Sequence, residues 1–238
     1  MNIAIVGAGR AGTSFCIALG RAGHRVQLVH HDDISTFNRP ALIVLCVPDD
    51  AIRAVAAQIP TSDEYVIAHV AGSRTLEVLG AHRRVASMHP LMALPSGQEG
   101  ADRLVGATYC VAGDDIVLDV VGSLHGRVIT MSNDQRTAYH AAAVVASNHL
   151  VALMGQVEHL AETVGLELED FLPLAFQSLR DVVDVGPSRA LTGPASRGDM
   201  ATIDAHLAAI PESERSAYVA MANAAFELAE RQRSQSRA

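Results

Sequence analysis

Three glycines near the N-terminus have the spacing that binds a phosphate group. Gly7, Gly9 and Gly12 form a G-x-G-x-x-G motif between an apolar run that predicts a strand and a pattern that predicts a helix. The first glycine of such a motif permits a tight turn, the second lets a pyrophosphate approach the backbone, and the third lets helix and strand pack closely. The motif therefore predicts a dinucleotide-binding turn, where free N–H groups at the start of the helix meet the phosphates. The predicted cofactor-binding residues of this turn are Gly7, Ala8, Gly9, Arg10, Ala11 and Gly12.

The end of the second predicted strand bears on which dinucleotide the chain binds. An acidic residue usually stands at this place when the ribose 2′-hydroxyl of NAD is bound, whereas this chain has His30 and His31. The two histidines, with help from Arg10, would contact a 2′-phosphate, although they would equally serve as solvated loop residues. We therefore expect NADP as cofactor, with NAD as the alternative. No further ligand has the spacing that would make the histidine pair a metal site, so no metal is expected.

The connection after this second strand is short. Only about ten residues precede the apolar run ALIVLCV (41–47), where folds of this kind normally fit another helix and strand. The adenosine side of the cofactor pocket is therefore expected to be trimmed, which would weaken cofactor binding or abolish it.

Apolar runs and helical patterns alternate over the first half of the chain. Alternation of this kind predicts a largely parallel, doubly wound sheet. Ser132 and Gln135 then form a capping box, and the periodicity of 134–165 predicts one long helix, with further helices after it. The expected fold is α/β, with a doubly wound NAD(P)-binding Rossmann domain at 1–132 followed by an all-α domain at 133–238.

Residues that follow the later strands lie where a nicotinamide would be held, because the carboxyl ends of parallel strands point at that position. Val47 and Pro48 follow one strand, and Ser73 follows the next. We expect the first two to line the nicotinamide position. Ser73 would bond the nicotinamide amide or the substrate, unless it caps a turn or helix. His89 is expected to rigidify a turn with Pro90 rather than to act in catalysis.

The long helix carries two polar residues that suit hydride chemistry, which needs a proton donor close to an electrophilic carbon. An imidazole titrates near neutral pH, so His140 has the residue type best suited to a general acid. Asn148 lies about 80° round a regular helix from His140 and would orient a substrate oxygen or nitrogen. Either side chain would equally bond a facing helix or a partner subunit.

The segment SRALTGPASRGD (188–199) interrupts helical sequence with a mixture that predicts a non-helical loop. Long loops within a helical domain are often functional. Arg197 supplies a planar fork that suits a carboxylate or phosphate, and Thr192 supplies a hydroxyl. In the alternative interpretation, Asp199 caps the next helix and Arg197 pairs with an acid. Together with the dinucleotide-binding turn, contact with a substrate is the better explanation.

Composition and charge exclude several classes of protein. The 238 residues carry a net charge of −8, which argues against a nucleic-acid or anionic-membrane surface. The apolar runs are too short to cross a bilayer and no secretory signal is visible, so we expect a cytoplasmic protein with reduced cysteines. All 18 basic residues are arginine, so no mechanism uses a lysine acid, base or Schiff base.

Several segments together resemble a known family. They are GAGRAG, LCVPDDAI, AHVAGS, MHPL, YHAAAVVASNHLVAL and ALTGPASRGDMATIDAHL. They are similar to the Rossmann proteins that carry domain of unknown function 2520, within the 6-phosphogluconate-dehydrogenase-like group that includes ketopantoate and pyrroline-5-carboxylate reductases. The resemblance implies an NAD(P)-binding domain followed by a helical domain commonly used for dimerisation, so a homodimer through the helical domain is expected.

The chain departs from this group at one catalytic position. Hydroxyacid dehydrogenases and ketopantoate reductases of the group place a Lys and an Asn one turn apart on the long helix. If Asn148 matches that Asn, the residue four positions earlier is Val144, and no lysine can substitute. Lysine-assisted ketone reduction of that kind does not carry over.

These observations favour an NAD(P)-dependent oxidoreductase that reduces or oxidises a small oxo or imino acid. Arg197 would hold the substrate carboxylate, with Asn148 and His140 near the reacting atom. The alternative is a non-catalytic nucleotide-binding sensor or partner-binding module on a degenerate dehydrogenase scaffold, which the trimmed adenosine side and the missing lysine favour. Non-redox use of a bound nucleotide is a third interpretation.

Overall fold

The computed structural model of the protein describes residues 1–30 and 37–235. The chain divides into two compact units, Met1–Ser147 and Asn148–Ala238. The division lies inside the long helix, later than the boundary expected at 132–133. The start of that helix belongs with the sheet because side chains of Arg136 and Tyr139 bond side chains of a strand.

Seven strands of the described residues form one sheet in the first unit. They are β1 (Asn2–Val6), β2 (Arg25–Val29), β3 (Leu42–Leu45), β4 (Val66–His69), β5 (Val85–Pro90), β6 (Thr108–Gly113) and β7 (Arg127–Thr130). Their order across the sheet is β2-β1-β3-β4-β5-β6-β7, and all neighbours are parallel except β5 and β6. The predicted doubly wound, largely parallel sheet is therefore confirmed.

Helices of the first unit connect these strands. They are α1 (Arg10–Arg21), α2 (Ile52–Ala56), α3 (Gln98–Leu104), α4 (Ile116–Ser123) and α5 (Arg136–Val144), with 3-10 turns at Leu76–Leu79 and Asn133–Gln135. The predicted capping box is confirmed, since the backbone N–H and the hydroxyl of Ser132 both donate to the side-chain oxygen of Gln135.

Strand β2 forms one edge of the sheet among the described residues. The chain passes from β2 to β3, which pairs with the other side of β1. In the usual Rossmann order another strand lies beyond the second, and the described residues contain none there. The short connection after β2 explains the missing strand.

Alternate residues of β1 contribute to cores on both faces of the sheet. Ile3 and Ile5 belong to a core that includes Phe15 of α1, whereas Val6 belongs to a second core with Ile52 of α2. This alternation is the period of two expected of a strand. Both faces of the sheet are thus covered, which leaves the carboxyl edge of the parallel strands as the place for a ligand.

The second unit consists of helices joined by short connections, so the predicted all-α region is confirmed. They are α6 (Leu150–Glu162), α7 (Leu168–Val185), α8 (Pro187–Ala190), α9 (Gly193–Arg197), α10 (Met200–Ala209) and α11 (Glu212–Gln235). Across the described part of the chain, no helix combines the length and hydrophobicity needed to cross a membrane.

The helix predicted at 134–165 is interrupted by a π turn at Val145–His149. Within it the Ser147 hydroxyl donates to the carbonyl of Ala143 at 2.7 Å, a side-chain bond that competes with regular helix geometry. The interruption therefore has a local cause that hydrophobic periodicity does not register.

The segment 188–199 is not the loop that its composition predicts, because α8 and α9 occupy most of it. A proline stands in the first turn of each helix, where it fits without losing a hydrogen bond. Gly198 ends α9 with a left-handed φ of 72°. Asp199 then caps α10 by accepting the N–H of Thr202 at 3.1 Å, as the alternative interpretation expected.

Gly100→Ala is expected to lower the free energy of unfolding by about 1–3 kcal/mol, the usual cost of overpacking. A Cβ at Gly100 of α3 would overlap the carbonyl oxygen of Pro95 and the side chain of Ser14. Ser14 cannot turn away freely, because its hydroxyl donates to the carbonyls of Arg10 and Pro95. In the control Gly122→Ala, nothing lies within 4 Å of the new Cβ, so stability should rise by up to about 1 kcal/mol. Urea denaturation measures both, and equal effects would contradict this packing.

Candidate functional site

Two glycines of the turn after β1 leave no room for a side chain. Gly7 has a φ of 108°, and an added Cβ would lie 2.5 Å from the carbonyl oxygen of Cys46. At Gly12 an added Cβ would overlap the carbonyl oxygen of Gly7. The two glycines therefore let α1 begin directly against the carboxyl end of β1, which is the arrangement a dinucleotide-binding turn needs.

The N-terminus of α1 is open at the second glycine of the motif. Gly9 is the N-cap, no side chain of the described residues caps this helix end, and the first turn holds no acidic residue. A Cβ at Gly9 would meet nothing within 4 Å. The first N–H groups of a helix lack partners within it and attract anions. This end of α1 therefore has both the donors and the space for a phosphate, and its residues fit a dinucleotide.

The other residues predicted to bind a cofactor lie around the same edge of the sheet. Val47 and Pro48 directly follow β3, and a methyl of Val47 lies 3.1 Å from the place of a Cβ on the first glycine of the motif. Arg10 and His30 are both exposed, at the start of α1 and just after β2. His31 lies outside the described residues.

Ser73, after β4, is bonded to an acid. Its hydroxyl donates to the carboxylate of Asp49 over 3.0 Å, and Nε of Arg74 lies 3.8 Å from the same carboxylate. The next 3-10 turn begins after Thr75, so Ser73 does not cap it. The loops after β3 and β4 are thus joined through one carboxylate.

A cluster of polar side chains that was not predicted from the sequence lies between α5 and β5. On α5, Arg136, Tyr139 and His140 are spaced by three and four residues and so share one face. On β5, Ser87 and His89 are two residues apart and point to one side of the sheet. Arg136 donates to Ser87, and Tyr139 is hydrogen-bonded to His89. These five residues are called the α5–β5 cluster below.

Arg136 is the buried cation of the α5–β5 cluster, with 1% of its surface exposed. Its guanidinium donates to the carbonyl oxygen of Arg74 at 2.8 Å, to that of Ala71 at 3.5 Å, and to the hydroxyl of Ser87. None of the ion pairs among the described residues includes it, and its Nε has no hydrogen-bond partner there. Because a buried charge needs hydrogen bonds in place of water, these bonds fix the start of α5 to the loop after β4 and to β5.

His89 and Tyr139 form a hydrogen-bonded pair of rings. His89 Nδ1 and the Tyr139 hydroxyl are 2.8 Å apart, and the ring planes stand at 89°. His140 also meets His89 edge-on, with ring centroids 5.9 Å apart. A Cβ added at Gly72 would lie 2.6 Å from His140 Nδ1 and 2.8 Å from His89 Nε2. The loop after β4 therefore lies directly against both imidazoles, and only glycine fits there.

Burial sets the protonation of the His89–Tyr139 pair. Desolvation lowers the pKa of His89 to about 4, and the positive charges of His140 and Arg136 add to this effect. Desolvation likewise raises the pKa of Tyr139 to about 12, with Cys110 adding to the rise and Arg136 opposing it. At neutral pH His89 is therefore an uncharged imidazole, and Tyr139 keeps its phenol proton.

His69, at the end of β4, is a second uncharged imidazole. It is fully buried, and its Nδ1 accepts the N–H of Ala71 at 3.2 Å. Desolvation, and then the charge of Arg136, lower its pKa to about 4. His69 pairs in register with Ser87 of β5, so it supports the loop beneath the α5–β5 cluster.

The spacing of the cluster residues contains a signal that sequence reasoning used only in part. Polar residues two apart in a strand and three or four apart in a helix indicate two polar faces. His140 was predicted alone, and the expectation that His89 serves a turn is wrong, because His89 lies within β5 and bonds Tyr139. The partners are 50 residues apart in the chain, so no local pattern pairs them.

The predicted site residues of the second unit lie in or at the ends of helices. Asn148 is in the π turn, whose wider geometry changes the angle to His140 that a regular α-helix would give. Thr192 is the N-cap of α9 and makes no side-chain bond to that helix. Arg197 is the exposed last residue of α9.

The three cysteines lack the lowered pKa of a nucleophilic thiol. Cys16, Cys46 and Cys110 are free, and burial raises the pKa of each thiol, that of Cys46 to about 12. A cysteine nucleophile needs the opposite shift. Within residues 1–30 and 37–235, no group of three His, Cys, Asp or Glu side chains is arranged to hold a metal ion.

Two family models match the chain. The model of the domain of unknown function DUF2520 matches residues 108–225. The model of the pyridine nucleotide-disulphide oxidoreductases matches residues 1–163, which include both the dinucleotide-binding turn and the α5–β5 cluster.

A curated protein and several solved structures are similar to this chain. A glycerol-3-phosphate dehydrogenase of Geobacillus kaustophilus, described as NAD(P)+-dependent, is 26% identical over 205 residues, which are 73% of this chain and only 57% of that protein. A candidate NADP oxidoreductase from Bacteroides fragilis has a TM-score of 0.78 at 23% identity, covering 95% of this chain and 98% of its own. A 1-pyrroline-5-carboxylate reductase from Streptococcus pyogenes has a TM-score of 0.62 at 14% identity, covering 95% and 98%.

The structural similarities show a shared fold, and the family matches show to which group the sequence belongs. The pyridine nucleotide model alone covers more than half of the chain. The chain therefore belongs to the NAD(P)-binding, Rossmann-like oxidoreductase group, and its residues 108–225 match the domain of unknown function DUF2520.

Proposed function

We propose that the chain is an NADP-dependent oxidoreductase that interconverts a small oxo or imino acid and its reduced form. One observation carries this proposal. The open N-terminus of α1 at Gly9 and the α5–β5 cluster lie on the same edge of the sheet, because β1, β3, β4 and β5 are parallel. A phosphate site and a set of hydrogen-bonding groups on one edge are what a dinucleotide-dependent hydride transfer requires.

The bound dinucleotide would run across this edge. With the pyrophosphate at the turn, the adenosine half would lie toward β2 and the nicotinamide toward β3 and β4. Val47 and Pro48 would line the nicotinamide position, with Ser73 beside it. Arg10 and His30 would lie on the adenosine side, where their exposed side chains suit a 2′-phosphate and support NADP over NAD. The nicotinamide would supply or accept the hydride.

Arg197 is proposed to hold the substrate carboxylate. Arg197 offers a bidentate fork and Thr192 a hydroxyl that its own helix does not use. Asn148 and His140 would orient the reacting oxygen or nitrogen. An imino acid substrate is consistent with the reductase activity that the Streptococcus pyogenes structure is named for.

A non-catalytic nucleotide sensor is the second candidate, and the lack of a strand beyond β2 among the described residues favours it. The missing strand would weaken the adenosine half of the pocket. The dinucleotide-binding turn and the α5–β5 cluster do not depend on that strand. A sensor would have no use for the cluster. Steady turnover of NADPH with a panel of oxo and imino acids would reject the sensor.

We propose that the active form is a cytoplasmic homodimer through the second unit. Free cysteines suit a reducing compartment. In the described part of this unit the buried apolar residues are Ala161, Ala195, Ile203 and Ala229. On α7, by contrast, Phe176, Leu179 and Val183 are spaced three and four residues apart, and all are exposed, Val183 by 84%. A continuous apolar stripe of this kind is typical of an interface, and a second copy would cover it.

Gly9→Ala is expected to weaken NADPH binding about tenfold or more, a cost of at least 1.4 kcal/mol. The new methyl would enter the space of the pyrophosphate, while folding stability stays the same, because Gly9 has a φ of −75° and nothing lies within 4 Å. Gly20→Ala, in the same helix and also without neighbours within 4 Å, is the control and should bind as the wild type does. Fluorescence titration and thermal unfolding measure the two effects. Failure of the wild type to bind NADPH or NADH at millimolar concentration would overturn the proposal.

Arg197→Ala is expected to raise KM for the substrate about 10- to 100-fold, since a hydrogen bond to a charged group contributes about 1.5–3 kcal/mol. The NADPH dissociation constant should change little. Arg189→Ala is the control, because Arg189 lies on the neighbouring helix α8 and donates to the carbonyl of Val185. Initial rates with pyruvate, 2-oxobutanoate and 1-pyrroline-5-carboxylate supply the measurement. A larger effect on NADPH binding than on KM would remove the role assigned to Arg197.

Val183→Asp is expected to convert the dimer to a monomer, because it places a charge on the most exposed residue of the α7 stripe. Val105→Asp is the matched control, since Val105 is also an exposed valine, 50% accessible, but follows α3 in the first unit. Sedimentation velocity of both variants and the wild type measures the outcome. A wild-type chain that sediments as a monomer at micromolar concentration would contradict the dimer.

A further inference from the structure

We propose that the Tyr139 hydroxyl, positioned by Nδ1 of His89, is the proton donor in the reduction. This inference rests on the proposed function and goes beyond it, because neither residue was a candidate from the sequence. Tyr139 would be the catalytic residue of the pair, and His89 would be its positioning residue.

The pair stands at the edge of the sheet where the nicotinamide would lie. His89 is the penultimate residue of β5, and β5 pairs with β4 in parallel register. The Tyr139 side chain reaches this end of β5 from α5, and Tyr139 is only partly buried. The phenol is therefore at the carboxyl edge, on the β4 and β5 side of the dinucleotide-binding turn.

Geometry separates Tyr139 from the two histidines beside it. His140 Nδ1 is buried without a hydrogen-bond partner and lies against the α-carbon of Gly72, so this atom is closed off from a substrate. His89 Nδ1 is bonded to the phenol, and its Nε2 also faces Gly72. Tyr139 is partly buried and keeps its phenol proton at neutral pH, because desolvation raises its pKa to about 12.

His89 also determines where the phenol proton can go. When the imidazole carries its hydrogen on Nδ1, that N–H donates to the phenol oxygen and leaves the phenol hydrogen free for a substrate. The edge-to-face arrangement of the rings, at 89°, and the contact with Gly72 hold this orientation. An uncharged His89 suits the role, because an imidazolium beside the phenol would release its own proton first.

For an oxo acid, the proton transfer balances with the hydride transfer. The carbonyl carbon accepts a hydride from NADPH, the C=O π pair moves to oxygen, and that oxygen takes the Tyr139 proton as the phenol O–H bond breaks. The tyrosinate is stabilised by the His89 N–H and by the positive charge of Arg136, and it regains a proton from water. The products are a hydroxy acid and NADP+; in an imino acid the nitrogen takes the proton.

The test compares Tyr139→Phe with a control that the chain itself offers. Tyr218 and His206 form a second pair of the same kind, with the hydroxyl 2.6 Å from Nδ1 and the rings at 90°. It lies in the second unit, where α10 meets α11. Tyr218→Phe therefore removes the same hydrogen bond without touching the α5–β5 cluster.

The first readout is cofactor contact without turnover. The chain has four tyrosines, so selective 13C labelling at tyrosine Cζ gives four resonances, and each Phe variant removes one. Saturating NADPH is expected to shift the Tyr139 resonance and to leave the Tyr218 resonance in place. NADPH should bind both variants within about threefold of the wild type, because neither phenol holds the phosphates.

The second readout is turnover with the panel of oxo and imino acids. Tyr139→Phe is expected to lower kcat about 100- to 10,000-fold, the usual contribution of a general acid, and Tyr218→Phe should not change it. His89→Asn, whose amide can replace Nδ1 as a hydrogen-bonding atom, should retain more activity than His89→Ala.

The outcomes separate this inference from the proposed function. A wild type that binds no NADPH overturns the proposed function, and the inference with it. If NADPH binds but the Tyr139 resonance does not move, or if Tyr139→Phe turns over like the wild type, only the assignment of Tyr139 is overturned.

Discussion

The buried guanidinium of Arg136 is the interaction on which the candidate site depends. It has no carboxylate partner among the described residues, so carbonyl oxygens after β4 and the hydroxyl of Ser87 replace its water. Removing it would leave those buried acceptors unsatisfied and release the start of α5 from the sheet. Its charge also disfavours protonation of His69 and His89. One side chain therefore both builds the α5–β5 cluster and helps to keep His69 and His89 uncharged.

The second constraint is that backbone segments must approach their neighbours closely at two points on the carboxyl edge of the sheet. Glycine makes both approaches possible. Gly7 and Gly12 bring the start of α1 against β1, and Gly72 lets the loop after β4 touch His89 and His140. The parallel topology makes these points neighbours, because the carboxyl ends of β1, β3, β4 and β5 all lie at one edge. The phosphate-binding turn and the polar cluster are thus consequences of one strand order.

Local signals in the sequence were sufficient to predict the architecture of the fold. Alternating apolar runs predicted the sheet, the Ser132 capping box predicted where the helical region begins, and the short connection after β2 predicted a missing strand. The candidate site was harder, because its contacts are not local. The motif glycines lie within six consecutive residues and can be recognised from the sequence, whereas His89 and Tyr139 are 50 residues apart in the chain. Polar composition also misled at 188–199, where two prolines begin short helices instead of breaking them.

The position of the missing strand bears on whether the scaffold still performs chemistry. The gap lies beyond β2, on the adenosine side, while the α5–β5 cluster lies at β5, on the opposite side of the turn. Loss of adenosine contacts lowers affinity for the whole dinucleotide without disturbing groups near the nicotinamide. A module that only sensed a nucleotide would depend on the half that is reduced. A reductase depends on the nicotinamide half of the site, where the α5–β5 cluster is intact. The reduced adenosine half together with the intact nicotinamide half therefore favours catalysis.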